Sequence, residues 1–255
     1  MFFDLPPDPP KFWLPPKPAI IRPAPDLAIT PKRLMLSRTR RRAAGALEIF
    51  DPPGSVSYTS AGAAIFEIPN FENWLKFKLW GAGAGGGRAS STGGSPGPGA
   101  GEASTIASLL LSAGGGSPGQ SRGTGGNGSG GAGGTASGGD INTNGEAGNT
   151  DGAGHGGDAP NGGDGGEPVA TNQPSGAGNP GQAPGGGGAG GYFNTGSDQR
   201  GGGGGSGAYV EKTYARGDLT PGTLLDLVIG DFGNGHAFLY EGGNGARGQI
   251  DISWA

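Results

Sequence analysis

The residues able to do chemistry are few and far apart. Cysteine is absent and histidine occurs twice, His155 in GAGHGGDAPNGGDGG and His236 in GNGHAFLY. His155 and Asp158 put a base three residues from an acid, the minimum for proton transfer. A glycine run supplies no further group to orient either one, so no catalytic role is expected and no cofactor is implied. Asp158, Asp164 and Glu167 belong to a stretch, 139–170, with six acidic residues and neither Lys nor Arg. GGDGGE combines glycine and carboxylate as calcium-holding repeats do, yet the carboxylate does not recur at the nine-residue spacing those repeats need. The three stand as calcium candidates against a plainer role as solubilising charge. G-x-G-x-x-G occurs within GGNGSGGAGG but opens no helix after a strand, which excludes a dinucleotide-binding turn. The group best suited to contact is Tyr192, Phe193 and Asn194 with Asp198, Gln199 and Arg200. Tyr and Arg carry much of the energy of binding surfaces, and here they interrupt sequence that otherwise offers no side chains. The competing reading packs Tyr192 and Phe193 as ordinary core.

What could position such residues is an unusual chain. Of 255 residues, 62 are Gly and 22 Pro, about a third in all, and 32% are hydrophobic. Any apolar core is therefore local. Without cysteine, stability must come from packing and backbone hydrogen bonds. No run of eighteen apolar residues marks a membrane span, and MFFDLPPDPP has neither the basic nor the apolar part of a signal peptide. The expectation is synthesis in the cytoplasm with no membrane insertion. The net charge of −4 hides an asymmetry: residues 1–50 carry nine Lys and Arg against four Asp and Glu, and the remainder eight against seventeen. The two parts are expected to meet different partners.

Residues 1–31 hold ten prolines, with Phe2, Phe3, Phe12, Trp13, Leu14, Ile20 and Ile21 between them. Proline fixes φ and pushes its predecessor to extended geometry, so an extended arm is expected, its apolar groups lying along another surface. Arg38, Arg40, Arg41 and Arg42 follow; with no recognisable reading helix or aromatic RNA motif, they read as a solvated or partner-facing charge cluster and not a nucleic-acid site. From about residue 55 the pattern changes to period two. Ala64, Phe66 and Ile68 share one face, as do Leu75, Phe77 and Leu79, with Pro69 and Asn70 turning the chain between them. EASTIASLLLSAGGG, with Ile106, Leu109 and Leu111, reads as one more strand. AYVEKTYARG, TLLDLVIGD with Leu225, Leu227 and Ile229, HAFLYEGG, and QIDISWA with Ile250, Ile252 and Trp254 resume the strand pattern after residue 207. Trp74 and Trp80 are expected to cover the sheet edge or a subunit interface.

Between the strands, residues 81–207 contain 50 glycines. A flexible linker is one reading. Against it, the later strands complete what the earlier ones begin, and the glycines fall in a three-residue phase: Gly125, Gly128, Gly131 and Gly134; Gly185, Gly188 and Gly191; Gly201, Gly204 and Gly207; Gly242, Gly245 and Gly248. Three residues per turn is the polyproline II period, and breaks in phase exclude a collagen triple helix. The fold expected is all-β: an antiparallel β-sandwich (strands about 55–80, 103–112 and 208–255) with a long glycine-rich insertion, 81–207, forming polyglycine II-like helices. An extended Pro-rich arm, 1–50, precedes the domain at 51–255. Tyr192 and Phe193 would then be displayed where two glycine helices join.

WGAGAGGG at 80–87, GGGGGSGAYVEK at 201–212, LTPGTLLDLVIGDFG at 219–233 and GGNGARGQIDISWA at 242–255 together resemble the glycine-rich domain of tail-fibre and receptor-binding proteins of tailed bacteriophages. The chain departs from the usual Val-Gly-Ala-Gly at Ile229, Gly230, Asp231 and Phe232, and residues 1–50 have no counterpart in the polyglycine II adhesins that cap some tail fibres. The resemblance implies a non-enzymatic virion tail protein that recognises a receptor on the host surface. It implies homo-oligomerisation, as a trimer, and attachment of the arm to other tail proteins. A capsid decoration or head-fibre protein without a receptor role is the alternative.

Overall fold

A computed structural model describes residues 41–43, 46–89, 97–121, 127–149, 154–169, 175–194, 198–236 and 240–255. The expected docking residues Phe2, Phe3, Phe12, Trp13, Leu14, Ile20 and Ile21 lie outside them. The described residues belong to one compact unit, Arg38–Ala255.

The chain is all-β. Its strands are β1 (Arg41–Ala43), β2 (Ala46–Glu48), β3 (Gly54–Tyr58), β4 (Gly62–Glu67), β5 (Trp74–Trp80), β6 (Ser104–Ile106), β7 (Leu111–Ala113), β8 (Ala136–Ser137), β9 (Ile141–Thr143), β10 (Ser175–Gly176), β11 (Tyr192–Asn194), β12 (Asp198–Arg200), β13 (Tyr209–Ala215), β14 (Leu224–Ile229) and β15 (Gln249–Trp254). Two five-stranded antiparallel sheets, ordered β3-β15-β5-β13-β9 and β4-β14-β6-β7-β8, enclose the core. The alternation read from the sequence is what builds it. Leu225, Leu227 and Ile229 on β14, Leu75, Phe77 and Leu79 on β5, and Ile250 and Ile252 on β15 are all buried, and their neighbours are not, apart from Trp80 at the end of β5. The rings of Phe66 and Tyr214 meet Phe77 edge-on, with centroids 6.1 and 5.9 Å away.

Two local expectations are corrected. EASTIASLLLSA is not one strand but a hairpin, β6 and β7, joined through a single 3₁₀ turn at Ala107–Leu109. Leu109, Leu110 and Leu111 are consecutive, so one strand could not send all of them inward. Leu110 instead adopts a left-handed φ of 57° and is 81% exposed, which lets Ile106 and Leu111 both reach the core. HAFLYEGG forms no strand among its described residues; 240–248 joins the glycine-rich layer.

On the outer face of the β5 sheet, Lys76 donates to Glu211 at 2.7 Å and the Tyr209 hydroxyl donates to the same carboxylate at 2.6 Å. The Lys76 hydrogen bond, then that of Tyr209, holds the Glu211 carboxyl below its ordinary range, and burial pushes the Tyr209 hydroxyl up. At the sandwich end away from the glycines, Arg216 pairs with Glu48 and lies over the Phe50 ring at 4.6 Å, tying residues 48–50 to the turn after β13.

Beyond the other end of the sandwich stands a lattice built from backbone. Residues 81–87 are fully covered, and each of their seven amides donates to another segment. Gly81, Ala84 and Gly87 donate to Ala208, Gly205 and Gly202; Ala82 and Gly85 to Glu102 and Gly99; Gly83 and Gly86 to Ala246 and Gly243. Their carbonyls accept in the same phase, residues 82 and 85 from Gly116 and Gly119, 83 and 86 from Gly233 and His236, 84 and 87 from Gly188 and Gly191, with N···O distances of 2.8–3.2 Å. Among the described residues, six segments thus surround one, each meeting it every third residue. Segments 185–191 and 201–207 are buried and hydrogen bonded in the same way, every amide donating.

Such close backbones leave no room for side chains. A Cβ at Gly83 would run into the Gly186 carbonyl, and one at Gly204 into the carbonyl of Ala84. Methyls fit only at chosen points, Ala82, Ala84 and Ala189, all wholly buried. At the periphery one residue in three suffices. Along 128–134 the burial runs buried, exposed, half-buried and repeats, with Gly128, Gly131 and Gly134 donating to Arg200, Gly203 and Ser206. Glycine costs about 0.5–1 kcal/mol of conformational entropy relative to alanine. Each amide paired by this approach returns about 0.5–1.5 kcal/mol net, and leaving it buried and unpaired would cost more. Ser206 is the one larger side chain in a central segment. Its buried hydroxyl accepts from the Glu146 amide at 2.8 Å and donates to the Asp158 carbonyl at 2.7 Å, stitching three segments together.

Candidate functional site at the lattice tip

The senses of these hydrogen bonds fix the direction of every segment. Residues 81–87, 114–120, 145–149, 163–167, 185–191 and 230–236 run away from the sandwich; 97–102, 127–134, 154–157, 175–182, 201–208 and 241–248 run back. Four of the returns enter β6, β8, β13 and β15 directly. The other two turn at the sandwich end, through 160–162, where the Trp80 indole donates to the Pro160 carbonyl at 3.0 Å, and through 183–185. Trp80 is 6% exposed and its ring lies 5.1 Å from that of Tyr209, so it fills the seam between lattice and sandwich. The remaining ends all gather at the far face. The residues between them in sequence, 90–96, 122–126, 150–153, 170–174, 195–197 and 237–239, lie outside the described residues.

At this far end the glycine segments stop at large side chains. Segment 81–87 runs into Arg88, 185–191 into Tyr192, and 201–207 begins after Arg200. Tyr192, Phe193 and Asn194 form β11 and pair with Arg200, Gln199 and Asp198 of β12, so all six residues read as contact candidates share one hairpin. They are not equally displayed. Tyr192, Gln199 and Arg200 are 2%, 3% and 7% exposed, and the Arg200 guanidinium lies 4.6 Å over the Tyr192 ring. This corrects the expectation that Tyr192 projects: its ring is covered, with the Arg200 guanidinium against it. Phe193 is half-buried and stacks on Tyr240 with centroids 4.3 Å apart and planes 28° apart. Its backbone pairs with Ser175 of β10.

Tyr240 is the participant the sequence reading passed over. It has a φ of 67°, a region a bulky residue enters only under constraint, and its ring is held against Phe193. Arg88, 9% exposed with its amide donating to the Ser121 hydroxyl at 2.9 Å, and His236, 3% exposed, complete the buried polar layer. A large residue bordering an uninterrupted glycine run caps a lattice segment at Arg88, Tyr192 and Arg200; Tyr240, set off from Gly242 by Glu241, carries no such signal.

The calcium candidates do not converge. Asp158 accepts from the Gly165 amide at 2.6 Å, and Asp164 and Glu167 are exposed at equivalent corners of one segment. His155 faces Glu167 at 3.2 Å. Among the described residues no three His, Asp or Glu side chains are placed to hold a metal ion, and no helix is long and apolar enough to cross a membrane. No protein-family model, curated protein or solved structure matches the chain.

Proposed function

We propose that this chain is a non-enzymatic virion protein of a tailed bacteriophage, a tail-fibre or tail-tip adhesin that attaches to a receptor on the host surface. Its glycine-rich part is a bundle of polyglycine II helices. Three residues per turn sends successive amides in three directions, which is the phase in which residues 81–87 donate. The bundle is a stiff support, and the observation that carries the reading is that the outward segments end, and the returning segments begin, at the face remote from the sandwich. A protein that needed only to fold would gain nothing by bringing so many segment ends to one face; one that presents contact residues on a rigid base would. Residues 1–50 serve as the docking arm toward other tail proteins, and the particle carries the chain as a homotrimer, both by resemblance.

Virions labelled with gold-conjugated antibody to the full chain test this, together with adsorption of phage to host cells preincubated with purified protein. Label at the distal tail and loss of adsorption are expected. Label on capsids with adsorption unchanged would replace the reading with that of a head-fibre or decoration protein.

A further inference from the structure

A second surface lies at the opposite end of the lattice, against the sandwich, where a groove of about 440 Å³ opens beside the segment leading into β15. That volume is within the range of small-molecule sites. The groove is lined there by Gly245, Ala246 and Gly248, none with a side chain larger than a methyl. Phe232, Pro180 and Ala183 give it apolar walls from two further segments. Its polar groups are planar. Arg247 lies 5.6 Å over the Phe232 ring and 3.7 Å from the Asp231 carboxylate, too far for a hydrogen bond, so its N–H fork is not spent on that partner. Gln249 donates its amide nitrogen to Asp251 at 2.8 Å, which fixes the carboxamide and leaves its oxygen as an acceptor.

From this juxtaposition we infer that the groove binds a neutral saccharide, with a pyranose C–H face against Phe232 and Pro180 and ring hydroxyls bridging Arg247 and Gln249. Charge selects the class. Among the described residues lining the groove Arg247 alone is charged, and Asp231 beside it offsets it, so neither a polyanion nor a polycation finds a complementary field. An apolar wall with convergent donors and acceptors matches a ligand that is apolar on one face and hydroxylated at its edge. The inference does not rest on the tip: the groove and β11–β12 are at opposite ends, so either can fail alone.

The test is saturation-transfer NMR and calorimetric titration of the full chain with lactose, cellobiose and maltose, with a heparin disaccharide and spermidine as charged comparators. At least one neutral disaccharide should show saturated ring protons. Phe232→Ala and Arg247→Ala should each weaken it at least tenfold, while Phe232→Tyr, which keeps the ring, should retain it. Thermal unfolding of each variant separates lost binding from lost folding. Absence of binding by all three neutral sugars, equal binding by the alanine variants, or preference for either charged comparator would overturn the inference.

Discussion

The sandwich and the lattice solve the same problem with opposite means. In the sandwich, backbone pairs within each sheet and side chains fill the space between, so Phe77 and Leu227 are buried by what surrounds their atoms. In the lattice, backbone fills the space itself, and residues 81–87, 185–191 and 201–207 hold together because almost nothing protrudes from them. One is damaged by removing atoms, the other by adding them.

That contrast can be broken most forcefully at Gly83. Gly83→Val puts a branched side chain into the Gly186 carbonyl, and backbone on both sides cannot yield as a side chain would. The expected loss exceeds about 3 kcal/mol and abolishes cooperative unfolding of the lattice in a denaturant titration. In the sandwich the reverse change matters: Phe77→Ala should cost about 3–5 kcal/mol by leaving a cavity beside Phe66 and Tyr214. Ser206→Ala, which removes one oxygen from the lattice and leaves the Glu146 amide and Asp158 carbonyl without it, should cost about 1–3 kcal/mol by the same titration. At the lower limit stands Gly97→Ala. Nothing lies within 4 Å of a Cβ there, so the change should fall within about 0.5 kcal/mol. A cost at Gly97 equal to that at Gly83 would mean that exclusion of side chains by neighbouring backbone is not what the lattice glycines provide.

The two regions were also unequally legible. Period two betrayed β4, β5, β14 and β15 and the residues they bury, because one face of each sheet meets the core and the other does not. The hairpin at 104–113 was hidden by three consecutive leucines, where periodicity carries no register and only the backbone of Leu110 decides. Period three was readable at the lattice periphery, in runs such as Gly128, Gly131 and Gly134, where one face needs glycine. In the central segments nearly every residue is glycine, so the phases read at Gly185, Gly188 and Gly191 and at Gly201, Gly204 and Gly207 single out no one face, and their central place follows only from the segments around them. The lattice also reaches past the expected insertion to include 230–236 and 241–248, whose hydrogen bonds to 81–87 join residues more than 140 positions apart. At the tip, sequence chose the right hairpin but not its display. The stacking partner of Phe193, Tyr240, arrives from another segment, which no local pattern announces.

The central claim is that the glycines are ordered by threefold backbone pairing, and residue-resolved amide hydrogen exchange tests it most directly. The account predicts unbroken protection through 81–87, 185–191 and 201–207, where every amide donates. Along 128–134 it predicts protection at Gly128, Gly131 and Gly134 alone, the donors among the described residues of that stretch. Rapid exchange throughout these segments, or protection alternating every second residue, would contradict it.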